Sequence, residues 1–147
     1  MLRASRGEPI SDRGRATASY HEDMPASRIL AVSVLGLRVA YGAALVAAPE
    51  RLTRRWLGPA VAHDPAQVAL RGLGAREVLL HAGGMAATLR GDAVRPWLAA
   101  SVAGDLSDIA ATVAGRRGLP GGSAPATLAV AGTSAVISVA VGALLDR

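Results

Sequence analysis

The chain has 147 residues, 51% hydrophobic and 18% charged, with a mean hydropathy of +0.33, which suits one domain containing a strongly apolar stretch. It contains no Cys, so disulfides, thiol nucleophiles, thiolate metal sites and iron–sulfur clusters are excluded. The net charge is +5 and all 16 basic residues are Arg, but they are scattered and not interleaved with aromatics, which argues against nucleic acid as a partner.

Residues 1–27 mix Arg3, Arg6, Arg13 and Arg15 with Glu8, Asp12, Glu22 and Asp23 and show no hydrophobic period, so they are expected to form a disordered polar tail. Met24 stands just before Pro25 as an alternative start. Residues 28–147 are expected to form one membrane domain. Residues 29–48 carry a single charge, Arg38, and are long enough for a helix crossing a hydrocarbon layer about 30 Å thick. A cleaved signal peptide is the competing reading. Arg38 interrupting the apolar run, Pro49 after the only small-residue cleavage site, and the later apolar segments favour a retained span.

PERLTRRWLG, residues 49–58, reads as a short interfacial helix with Leu52, Trp56 and Leu57 on one side and Arg51, Arg54 and Arg55 toward water. Asp64 and Pro65 open a second long segment, 66–89, which Arg90 and Gly91 stop. Asp92 and Pro96 precede a third, 97–114. The loop GLPGGSAP, with Ser123 as a candidate cap, leads into a fourth, 126–145, which has no charge at all. The fold class expected is all-α, a four-helix transmembrane bundle. The fourth segment decides against a soluble bundle, because it lacks the charged stripe of a solvent-facing helix. Its small residues Thr127, Ser134, Ser138 and Gly142 share one face and suit close packing with hydroxyl bonds across to a neighbour.

The four segments contain Arg38, Arg71 and Arg76 against Glu77, Asp105 and Asp108, with His81 as the only histidine among them. Such charges are expensive in lipid, so the seven residues are expected to form a buried polar network. At about 100° per residue, Gly74, Glu77 and His81 share one side of the second segment, while Arg76 points away from Glu77. Asp105 and Asp108 share a stripe with Trp97, Ser101, Gly104 and Thr112. Antiparallel packing then sets the two Asp opposite Arg71 or Arg76. His81 alone suggests packing and excludes a bis-histidine haem within one chain. No metal or cofactor is expected. Nor is a catalytic dyad, because no nucleophile or loop motif accompanies the carboxylates.

RGLGARE (71–77) and GDLSD (104–108) resemble segments of a group of uncharacterised small integral membrane proteins common in actinobacteria, within the broader DoxX-like architecture. The resemblance covers about residues 30–145. It implies four helices around a polar core and names no reaction. Three readings follow: a non-enzymatic scaffold or accessory subunit whose charges are architectural; a small ion-, proton- or solute-transporting protein; and a redox component binding a quinone near His81 and Trp97. The expected surroundings are the cell membrane, crossed several times with both termini cytoplasmic. The lipid bilayer and a homo-oligomer or membrane protein partner are the expected contacts.

Overall fold

A computed structural model describes residues 24–145. Its helices are α1 (Ala26–Ala47), α2 (Pro49–Leu57), α3 (Asp64–Arg90), α4 (Arg95–Gly115) and α5 (Ser123–Leu145), with 3-10 turns at Pro59–Ala62 and Arg116–Gly118. Among the described residues there is no strand, and the fold they form is all-α. The expected N-terminal tail lies outside them except for residues 24–27, as do Asp146 and Arg147.

The long helices begin earlier than their apolar runs, taking in Arg28, Asp64, Arg95 and Ser123. Backbone hydrogen bonding continues a helix past the point where hydropathy changes. Local chemistry sets where they stop. Ala48, preceding Pro49, is driven out of the helical region to φ −142°, which ends α1, and Pro49 starts α2. Gly91, at φ +77°, closes α3: its N–H donates to the Thr88 carbonyl, and that of Asp92 to the Ala87 carbonyl at 2.9 Å.

On α2, Arg51, Arg54 and Arg55 are exposed and Trp56 and Leu57 half-buried, as expected, but Leu52 is exposed and Thr53 is buried instead. The helix rests on its Pro49–Thr53 edge, and the Thr53 hydroxyl donates to the Pro49 carbonyl at 2.8 Å. Trp56 Nε1 donates to Thr127 Oγ1 at 2.9 Å, and Ser123 Oγ donates to the Trp56 carbonyl. The Ser123 hydroxyl therefore ties α5 to α2 and does not cap its own helix.

α1 packs most closely on α3, and α4 on α5, while α3 with α4 and α1 with α5 close the bundle. Contacts between α1 and α3 run antiparallel, from Arg28 beside Gly91 through Leu35 beside Gly84 to Gly42 against Gly74. At the last pair the backbones touch. A β-carbon on Gly42 would lie 2.7 Å from the Gly74 carbonyl oxygen, and one on Gly74 would lie 2.6 Å from that of Gly42. The Trp97 ring covers Gly83 and its β-carbon faces Gly84, bringing α4 onto α3.

The interior is small. One apolar cluster joins Ala31, Leu35, Leu98 and Val141; a second joins Leu45, Val61 and Leu70 near α2. Buried hydroxyls fill much of the remainder. Thr88 and Ser138 bond the carbonyl four residues earlier in their own helices, at 2.8 and 3.0 Å, so they allow close approach without cross-linking.

The glycine crossing predicts opposite signs for one substitution. Gly42→Ala or Gly74→Ala should cost about 1–3 kcal/mol by overpacking. Gly72→Ala, with nothing within 4 Å of the added carbon, should be neutral or stabilising by up to about 1 kcal/mol. Thermal unfolding followed by circular dichroism reads both.

Candidate buried charge network

Arg38 sits midway along α1, on the face turned toward α3 and α4. Its Nη2 donates to Asp105 Oδ2 at 2.6 Å, and both side chains are close to nine-tenths buried. Its Nη1 donates to Ser101 Oγ and lies 2.9 Å from His81 Nε2. A single guanidinium thus ties α1 to α3 and α4. This planar fork serves several acceptors at fixed angles, which an ammonium would not do.

His81 is 1% exposed. Its Nδ1 lies 2.8 Å from the Glu77 carbonyl oxygen and 3.4 Å from Glu77 Oε2, both acceptors, so Nδ1 carries the proton. Nε2 is then the acceptor that faces the Arg38 guanidinium, with Ser101 Oγ at 3.0 Å. In this arrangement the imidazole is neutral: a second proton on Nε2 would point at a cation. The ring serves as a polar joint, more than the packing role expected of it.

The network continues through Glu77 to Arg76. Arg76 Nη2 lies 3.0 Å from Glu77 Oε1 and 3.4 Å from Asp108 Oδ2, which joins α3 to α4 a second time. Arg76 was expected to point away from Glu77, but its long stem swings back along the helix surface. Gly104 leaves room for this, since a β-carbon there would lie 3.4 Å from Arg76 Nη2. This pair is the more open one, its side chains 42% and 34% exposed.

Two expectations are corrected. Asp105 pairs with Arg38 of α1 and not with Arg71 or Arg76. Arg71 is outside the network: it is exposed, and its Nε donates to the Val46 carbonyl at 3.3 Å. With Arg71 removed, two guanidiniums face three carboxylates, so the interior does not balance. Ser101 was visible on the Asp stripe but not singled out. Its position four residues before Asp105 was the available signal, because two acceptors one turn apart can share one guanidinium.

No buried side-chain polar atom among the described residues lacks a hydrogen-bond partner. No group of three or more His, Asp or Glu there is arranged to hold a metal ion. No family model, curated protein or solved structure matches the chain.

The pairing predicts non-additivity. Arg38→Ala and Asp105→Ala should each cost about 3–5 kcal/mol by leaving a buried charge unpaired, and the double change should cost less than the sum of the two. Arg76→Ala and Asp108→Ala, being more open, should each cost about 1 kcal/mol. Thermal stability of the six proteins, wild type included, tests the order.

Proposed function

We propose that this chain is a four-span integral membrane protein, with α1, α3, α4 and α5 as the spans, and that it acts as a non-enzymatic scaffold or accessory subunit. The carrying observation is the inversion of its surface. Leu37, Leu79 and Val130 are each 73% exposed, with Val68, Val136 and Val139 nearly as open, while His81, Ser101, Thr88, Ser123 and Ser138 are at most 2% exposed. An aqueous solvent favours the opposite arrangement.

α1 and α5 are long and apolar enough to cross a membrane, with mean hydropathies of 2.0 and 2.1 in windows only 22% buried. Core helices of a soluble domain would be mostly covered. The 27-residue α3 and 21-residue α4 span about 40 and 31 Å, but their charges lower their hydropathy. Turning Glu77, Asp105 and, in part, Asp108 inward leaves Leu79, Leu89, Leu106 and Val113 outside. The architectural role follows from the saturation of the network, because groups that satisfy one another hold helices in register.

The alternative reading, a small proton-, ion- or solute-transporting protein, is favoured by the excess of carboxylates over guanidiniums in the same network. Flux across liposomes containing the purified protein separates the two. The scaffold role predicts none above protein-free vesicles, together with a stable membrane partner or second copy on purification.

In cells the protein should stay in the membrane pellet after alkaline carbonate washing and move to the soluble fraction only with detergent. Both termini are proposed to be cytoplasmic. Single cysteines replacing Ala60 and Pro120, at the opposite end of the bundle, should therefore react with an impermeant maleimide from outside. Labelling only after permeabilisation would reverse the orientation.

A further inference from the structure

Arg71 belongs to the sequence's charged set but not to the interior network, so its position calls for a separate account. It lies beside the last turn of α1, where its Nε caps the Val46 carbonyl, one of the carbonyls left free at a helix end. Both of its Nη groups remain available as donors, and among the described residues it pairs with no carboxylate. Arg51, on the first turn of α2, is likewise exposed and without a carboxylate partner there.

These two arginines line one groove of about 380 Å³ between the α1–α2 corner and α3. Ala48 and Pro49 lie along it, with Gln67 adding an amide. Glu50 also lines it, but Arg54 Nη1 holds that carboxylate at 3.0 Å. The groove therefore presents uncompensated positive charge. Because it lies level with the end of α1, it falls at headgroup depth if α1 spans a bilayer.

We infer that this groove binds the phosphate of an anionic phospholipid headgroup, with Arg51 and Arg71 as its two cationic contacts. A phosphodiester offers several acceptor oxygens to two forks of N–H donors, and basic pockets between spanning helices suit such headgroups. The inference rests on the proposed membrane placement. It deepens that reading by naming a lipid partner and two arginines that no carboxylate holds among the described residues.

The test is native mass spectrometry of the full chain, released from detergent and titrated with phosphatidylglycerol or phosphatidylcholine. One phosphatidylglycerol should be retained in preference. The Arg51→Gln/Arg71→Gln pair should weaken that binding about tenfold, whereas Arg116→Gln/Arg117→Gln, at the same end but outside the groove, should not. Arg51→Gln alone, on an exposed position, should give a smaller loss and covers the case in which Arg71→Gln disturbs α1. Equal retention of both lipids, or retention unchanged in the Arg51 and Arg71 variants, would overturn the inference. Displacement of the lipid by millimolar inorganic phosphate would overturn the choice of a lipid over a free anion. A failed membrane placement shows itself separately, as protein recovered in the soluble fraction before any lipid is added.

Discussion

A guanidinium in the middle of an apolar helix must find acceptors, and the bundle is arranged around how Arg38 finds them. It cannot lose its proton, and its side chain is only 13% exposed midway along α1. Asp105 supplies the opposite charge from α4, Ser101 an oxygen one turn earlier, and His81 a nitrogen from α3. Each acceptor fixes one helix relative to α1. A shift of α3 or α4 by one turn would move His81 or Asp105 by about 5.4 Å and strand the charge. Specific register is thus enforced by the cost of an unpaired ion more than by the gain from pairing.

That constraint explains the small residues. Arg, Asp and His side chains span the gap between helices only when the axes are close, and Gly42 against Gly74 lets α1 and α3 meet backbone to backbone. Gly83 gives the Trp97 ring a flat seat, Gly84 admits its β-carbon, and the two draw α4 inward. Threonine and serine hydroxyls that bond their own helices complete an interior with few large apolar side chains. The larger apolar residues are displaced to the outer surface. Polar interior, thin core and apolar exterior are therefore one arrangement with one cause, and a lipid surrounding is the solvent proposed to tolerate it.

The two ends of the bundle differ in kind. Where α3 hands over to α4, a left-handed glycine makes a short connection. At the other end, Pro49 bends the chain into α2, whose Trp56 is pinned to α5 through Thr127 and Ser123. This second polar tie closes the bundle where the central network does not reach. It also leaves the arginines of α2 facing outward around the corner with α3, giving that end a surface chemistry distinct from the saturated centre.

Local sequence was enough to mark where α1 and α3 stop, because the missing N–H and fixed φ of Pro49 and the positive φ open to Gly91 act within a few residues. Helical periodicity also placed Asp105 and Asp108 on one stripe, and Glu77 with His81 on another, since 3.6 residues per turn is a property of the backbone alone. Four apolar stretches were legible; the unmarked fact was that only α1 and α5 are apolar enough by themselves to be read as spans. Partner choice belonged to the tertiary structure. Periodicity gives the direction in which a side chain leaves its own helix, but not which helix stands opposite, how near it comes, or how far a flexible Arg stem swings. Those three quantities assigned Asp105 to Arg38, folded Arg76 back onto Glu77 and turned Arg71 out to the corner, because each depends on the distance between helix axes, which the glycine crossing sets.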